Sequence, residues 1–495
     1  MTAAIPYDRA ILARRALIAA ALRRLVAADA VIADETGLAV YESDALTAYR
    51  QLPLVAVLPS TVEEVAAVLR YCHAEGLKVV PRGAGTSLSG GALPLGDGVL
   101  LGMAKFNRIL DVDLANRCVT AQTGVTNLAI TRAVEADGFY YAPDPSSQSA
   151  CTIGGNVAEN SGGVHCLKYG MTTNNLLGLQ VVLMSGEIVR IGGKHLDPGG
   201  YDLLGLLTGS EGLLGVVTEV TVRILPRPAA VGALMLGFGS AESAGRCVAA
   251  VIAAGIVPAG MEMMDRAAIH AAEAFAGAGY PLDVEALLLA ELDGTARDVE
   301  LRLQQVQDIA RAHGAVRAVV ATDEAERARL WAGRKAAFPA VGRISPDYLC
   351  MDGTIPRRQL PLVLTRIQAL SERHGLRVVN VFHAGDGNLH PLILYDANAG
   401  EQDRAEAIGA DILRLCVEVG GVLTGEHGVG IEKRDLMPVM FTEVDLEQQL
   451  RVKCAFDAQN LLNPGKVYPQ LHRCVEEGRV HVHHGAVRFP ELPRF

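Results

Sequence analysis

No C-x-x-C pair occurs among the nine cysteines of this 495-residue chain. Scattered thiols, odd in number, argue against a disulfide framework and fit a reduced, cytosolic setting. They also lack the ligand spacing of an iron–sulfur cluster, so any such cluster is expected in another polypeptide. Basic residues are too few for a nucleic-acid surface. The chain has 45 Lys and Arg against 55 Asp and Glu, a net charge of −10, and phosphate backbones demand the opposite sign. No apolar run approaches the roughly 20 residues that span a bilayer. Asp8, Arg9, Arg14 and Arg15 break the amino-terminal stretch, so no secretory signal is expected.

Half the residues are apolar and a fifth are charged, which suits a folded enzyme of two or three packed domains. Residues 1–50 read as a helical segment, with helix-like spacing from Arg9 to Ala28. After Leu52-Pro53 comes a β-α-β pattern: a strand at Leu54 to Leu58, caps at Ser60 and Thr61, and a helix to about Glu75. A second strand follows at Leu77 to Val80. Further β segments, Val181 to Met184 and Val216 to Ile224, alternate with glycine loops as far as Pro226. Beyond it, Ala241 to Ala254 and Ala296 to His313 read as amphipathic helices between strands, an α+β domain of its own. The expected division is therefore 1–50, 51–227, 228–454 and 455–495, with the last segment in loops and turns.

Glycine, at 52 residues, concentrates in three tracts. The first is P-R-G-A-G-T-S-L-S-G-G, Pro81 to Gly91, directly after a strand. Bare amides and small hydroxyls there suit a pyrophosphate. No lysine follows Gly90-Gly91, so it is not a Walker loop, and Ala92-Leu93-Pro94 is a poor helix start for a Rossmann turn. Alone, the tract reads equally as a structural turn. The second tract joins Pro143-Asp144-Pro145-Ser146 through T-I-G-G-N, Thr152 to Asn156, to Asn160-Ser161-Gly162-Gly163. The third is G-S-E-G-L-L-G-V-V-T-E, Gly209 to Glu219. Together they suggest a backbone cleft along an extended cofactor.

The segment H-A-G-D-G-N-L-H, His383 to His390, lies between two β-like runs, and Gly385-Asp386-Gly387-Asn388 is strong turn chemistry. A hairpin there sets two imidazoles opposite each other, where they can share one divalent cation. A later turn, T-G-E-H-G-V-G, Thr424 to Gly430, offers Glu426 and His427 between glycines. Two histidines and a carboxylate form an open site for zinc, manganese or iron(II); taken singly, each histidine is more often structural or on the surface. In L-W-A-G-R-K-A-A-F-P, Leu330 to Pro339, Arg334 is either a helix-surface arginine or the anchor of a substrate carboxylate.

These motifs resemble two linked family patterns. The glycine tracts are similar to the vanillyl-alcohol-oxidase-type (PCMH-type) FAD domain. That likeness implies an α+β fold in which an FAD-binding domain carries an α+β cap. By motif, the implied FAD contacts are Arg82, Gly83, Ala84, Gly85, Thr86 and Ser87 of the first tract. Asp144, Ser146, Thr152, Gly154, Gly155 and Asn156 follow from the second, and Glu211, Gly212, Gly215 and Val217 from the third. Leu88 and Ser89 stand where covalent members commonly carry a histidine, so non-covalent FAD is implied.

H-x-G-D-G-N-x-H and G-E-H-G resemble the paired motifs of the FAD-linked 2-hydroxy-acid dehydrogenases, which act on D-lactate, D-2-hydroxyglutarate or glycolate. The resemblance implies His383, His390 and Glu426 as metal ligands and His427 as general base, with Arg334 on the substrate carboxylate. Hydroxyglutarate-type relatives carry a lysine two residues before the aspartate matching Asp352; Cys350 stands there, which favours a small monocarboxylate. The likeness is greatest to the glycolate-oxidising bacterial members, through G-R-I-S-P-D-Y, D-G-T-I-P-R-R and N-P-G-K. Asn463 and Lys466 of N-P-G-K are expected to return to the flavin domain. Those members work with a second flavin-domain-like subunit and an iron–sulfur subunit, which implies a cytoplasmic protein that meets a membrane only through partners. Two rivals remain. One is a D-lactate dehydrogenase with the same motifs; the other is a metal-dependent hydrolase, which leaves the glycine tracts unexplained. The tail histidines His472, His481, His483 and His484 read as surface or subunit-contact residues rather than a metal site.

Overall fold

Short, wholly buried strands open the chain's first sheet. The computed structural model describes residues 7–195 and 199–469, so the tail histidines lie outside the described residues. Val55–Val57 and Gly98–Gly102 are buried at every position, as strands covered on both faces must be. They pair in parallel, and Lys78–Arg82 pairs in parallel on the far side of Gly98–Gly102. Between them runs the helix Val62–Ala74, started by Thr61, whose Oγ1 accepts the Glu64 amide at 3.2 Å. The Ser60 amide donates back to Glu64 Oε2 at 2.6 Å. No helix follows the first glycine tract; the chain goes directly from Arg82 through loops to Gly98.

A five-stranded antiparallel sheet stands beside this unit, in the order Ile109–Asp113, Cys118–Gln122, Val216–Arg223, Leu176–Val182, Ile188–Gly192. Its central strand Val216–Arg223 buries every second residue, the period-2 pattern of a strand with unlike faces. The helix Ile153–Glu159 sinks Ile153 and Val157 into the same apolar cluster as Val220 and Val222.

A seven-stranded antiparallel sheet follows, ordered Ala315–Val320, Ala230–Phe238, Ala286–Gly294, Gly260–Asp265, Val378–His383, Pro391–Tyr395, Asp347–Cys350. The helices Ala241–Ala253, Ala296–Ala312, Leu360–His374 and Gln402–Glu418 pack on one face. Arg266–Ala276 and Glu324–Val341 cover the other. Sheet and helices together form the expected α+β unit.

Two details depart from the sequence reading. The amino-terminal helix is broken into Arg9–Ala13 and Arg15–Leu22. Arg14 leaves helical geometry there, and Arg15 reaches across to the Ala33 carbonyl at 2.6 Å. Near the other end the helix Glu443–Phe456 precedes the expected loops. The chain then crosses back to the first sheet, where Leu462 forms a parallel bridge with Val79.

Candidate active site

One cavity of about 500 Å³ collects most of the residues singled out by the sequence. The first tract, Arg82 to Ser87, leaves its strand and lines one wall. Gly85 has φ +73°, and a Cβ there would run into the Arg82 guanidinium. A Cβ on Gly83 would collide with Thr152 Oγ1, so the first and second tracts approach as closely as glycine allows. Ser146, Thr152, Gly154, Gly155 and Asn156 face the same space, as do Glu211, Gly212, Gly215 and Val217. Loops that meet through bare backbone around a narrow cleft fit an extended dinucleotide.

Two expected contacts sit behind this wall. Asp144 does not line the cavity; its carboxylate accepts the His165 amide at 3.2 Å and pairs with His165 Nδ1 at 2.8 Å. Asn463 is also outside the lining, and its amide holds the Gly91 and Glu211 carbonyls at 3.1 and 2.7 Å. Lys466 ties the same loops, donating to Gly91 O at 2.8 Å and Leu93 O at 2.6 Å. Glu211 faces the cavity, but its carboxylate accepts the amides of Val429 and Gly430, each at 2.7 Å. It thereby joins the third glycine tract to the loop that carries His427.

The opposite wall holds the histidines. His383 ends the strand Val378–His383 and bridges to Asn388, closing the expected hairpin. The His383 and His390 rings meet edge-on with centroids 5.0 Å apart. Their Nε2 atoms lie 3.3 and 3.1 Å from Glu426 Oε1. One ligand atom from each of the three lies within 4.8 Å of the others, a donor set of borderline softness open on the cavity side. Burial opposes ionisation of Glu426, yet hydrogen bonds from the two imidazoles outweigh it and hold its carboxyl well below the usual range.

His427 stacks on His390 at 4.9 Å with 14° between the rings. Burial pushes its pKa down to about 4, so the ring is neutral near pH 7 and able to accept a proton. Its Nδ1 is buried without a hydrogen-bond partner. The loop owes its shape to Asp352, a fully buried carboxylate that collects the amides of Gly425, Glu426 and His427 at 3.0, 3.1 and 2.9 Å. Lys433 lies 3.3 Å from the same carboxylate.

Arg334 lines the cavity but is not a surface arginine. It is 3 % exposed, and its Nε and Nη2 reach Glu262 Oε2 at 2.9 and 2.6 Å. Glu262 is a residue that the sequence reading passed over. The available signal was an acid inside G-M-E-M-M-D, a strand buried at all but its last position. Phe338, four residues beyond Arg334 on the same helix, meets His390 edge-on at 6.3 Å. No helix among the described residues is long and apolar enough to cross a membrane.

Comparison with known proteins identifies the family and the fold. Residues 53–192 match the family described as "FAD binding domain", and residues 227–467 match "FAD linked oxidases, C-terminal domain". The chain is 56% identical to the glycolate oxidase subunit GlcD of Escherichia coli (strain K12) over 482 residues, covering 97% of each. It is 38% identical to the subunit of that name from Bacillus subtilis (strain 168), over 87% of this chain and 92% of the relative. The D-lactate dehydrogenase of Anaerostipes hadrus is 35% identical, over 85% and 90%. Among solved structures, p-cresol methylhydroxylase with substrate bound has a TM-score of 0.80 at 18% identity, over 94% of this chain and 99% of that one. It shares the fold: a PCMH-type FAD-binding domain with mixed helices and sheets.

Proposed function

This chain belongs to the FAD-linked oxidases and is an FAD-linked oxidoreductase, and on that premise we propose that it oxidises a small 2-hydroxy acid, glycolate to glyoxylate. The observation that carries the reading is the single cavity, with glycine loops on one wall and His383, His390, Glu426 and His427 on the other. Arg82 to Ser87 and the two later tracts would hold FAD without a covalent link, and FAD would supply an acceptor for a hydride from C2 of the substrate. A divalent cation such as zinc, manganese or iron, held by His383, His390 and Glu426, would lower the pKa of the substrate hydroxyl. His427, neutral through burial, takes the hydroxyl proton. Arg334 keeps Nη1 unpartnered among the described residues and receives the substrate carboxylate through it.

A small monocarboxylate is favoured by Cys350. A thiol carries no positive charge in either protonation state, so that position offers no cation to a second carboxylate. Electrons leaving the site would go to a partner bearing an iron–sulfur cluster. In support of partners, two of the relatives it matches are named as subunits of a glycolate oxidase. With a second flavin-domain-like subunit this makes a cytoplasmic complex that reaches a membrane only through its partners.

D-lactate is the second reading, favoured by relatives of that activity at 34 to 35% identity. The deciding measurement is the visible spectrum of the FAD-loaded protein, taken without oxygen before and after each acid. Glycolate is expected to bleach the oxidised flavin bands faster than D-lactate. Bleaching by D-lactate alone replaces glycolate with the rival, and no bleaching by either ends the small-substrate reading.

A further inference from the structure

Glu262 stands in the middle of the strand Gly260–Asp265, among Met261, Met263 and Met264, and is 1 % exposed. A carboxylate so deep persists only if charged or polar partners use its lone pairs. Both oxygens are used, by groups from two different elements. The register of the sheet sets Glu262 directly across from His383, where side chains of adjacent strands touch. Its Oε1 receives His383 Nδ1 at 2.7 Å. The helix Glu324–Val341 brings Arg334 over the same strand, and Oε2 receives that guanidinium along one edge.

Two constraints follow from this one carboxylate. With Nδ1 committed as donor to Glu262, the nitrogen that His383 can free for a cation is Nε2, which faces Glu426. With Nε and Nη2 engaged, Arg334 keeps Nη1 as the donor not taken up by protein. From this we infer that Glu262 is a positioning residue that sets cation binding and substrate-carboxylate binding together. The inference rests on the reading of His383 as a metal ligand and Arg334 as the carboxylate anchor. A core ion pair alone would not need both oxygens aimed at residues that line the same cavity.

Glutamine at this position has one acceptor oxygen and one donor amide. It cannot serve His383 Nδ1–H and the Arg334 edge at once. The test uses full-length, FAD-loaded wild type and Glu262→Gln. Metal-stripped protein is titrated with Mn²⁺ by calorimetry, and KM and kcat for glycolate are read with an artificial acceptor. The flavin spectrum and melting curve serve as controls on folding.

The expected result is a Mn²⁺ affinity lower by about 10- to 100-fold together with a KM for glycolate raised at least several-fold, while FAD content is retained. A loss in only one of the two, or in neither, while wild type binds Mn²⁺ and oxidises glycolate, overturns the role of Glu262 and spares the functional reading. Wild type that neither binds Mn²⁺ nor turns over glycolate overturns both. If Glu262→Gln does not fold, Glu262→Asp keeps the charge but withdraws it by one methylene, and the same two measurements apply with the same outcomes.

Discussion

Single buried carboxylates decide most of the local chemistry, and they do so in opposite directions. Asp352 is held well below the usual carboxylate range: burial opposes ionisation, but neighbouring His427 and Lys433 outweigh it. Asp44 has no such surplus. It is 4 % exposed, Oδ1 accepts the Leu46 amide at 3.0 Å, and Oδ2 has no partner. Burial, only partly offset by the Leu46 amide and by Lys466, raises its pKa from 3.8 to about 6. The folded protein therefore binds more protons than the unfolded chain across that window, and stability falls as pH rises through it. A rise from 3.8 to about 6 corresponds to about 3 kcal/mol lost by pH 7. Asp44→Asn keeps the acceptor for Leu46 and cannot ionise. It is expected to be about 1–2 kcal/mol more stable than wild type at pH 7.5 and no more stable at pH 4. Urea denaturation at both pH values reads this, and equal stability at pH 7.5 would refute it.

Elements were legible where their periodicity was amphipathic. Ala241–Ala253 and Ala296–Ala312 fall within a residue of their expected ends, because one buried stripe and one wet face leave a 3.6-residue signature. Gly260–Asp265 is covered by helices on both sides, so its apolar run carries no alternation that would mark the acid as a contact. Glu262 was lost there, since cross-strand pairing with His383 is not a local property. Asp144 shows the reverse: its motif marked the loop correctly, but the side chain turns away to His165. Turn chemistry was the more faithful guide. Gly428, directly after His427, has φ +83°, and a Cβ there would strike the carboxylates of Glu159 and Glu211. Gly428→Ala should shift the loop that bears His427 more than the first glycine tract, whose atoms are not among those its Cβ would strike. The expected outcome is a kcat about 100-fold lower, as for a displaced catalytic group, at unchanged FAD content per chain. Loss of FAD in proportion to activity would show that this loop serves the cofactor and not the base.

Over the whole molecule, the cavity exists because sequence-distant pieces close on it, and the last described segment is the clasp. Leu462 pairs with Val79 beside the first tract, and Asn463 donates its amide to Gly91 O in the first tract and Glu211 O in the third. N-P-G-K pointed to this return only through family likeness, since four residues carry no periodicity that names a partner hundreds of positions away. Asn463 also has φ +46°, a conformation that asparagine and glycine tolerate best. Asn463→Gly therefore removes both donated side-chain hydrogen bonds, and the one that Oδ1 accepts from Lys466 Nζ at 2.8 Å, without adding backbone strain. The Glu211 carbonyl loses its side-chain donor, at about 1–3 kcal/mol if nothing replaces it, while the Gly91 carbonyl keeps Lys466. The loops that they belong to line the cofactor wall, so part of that cost should appear as weaker FAD binding. The expected result is an FAD Kd at least about 10-fold higher, one decade being 1.4 kcal/mol, measured by titrating apoprotein and following flavin fluorescence. Mn²⁺ affinity at the opposite wall should stay within error, because His383, His390 and Glu426 make no hydrogen bond to this segment. If both affinities fall together, the carboxy-terminal return is holding the two halves of the protein in register and not only the two glycine loops.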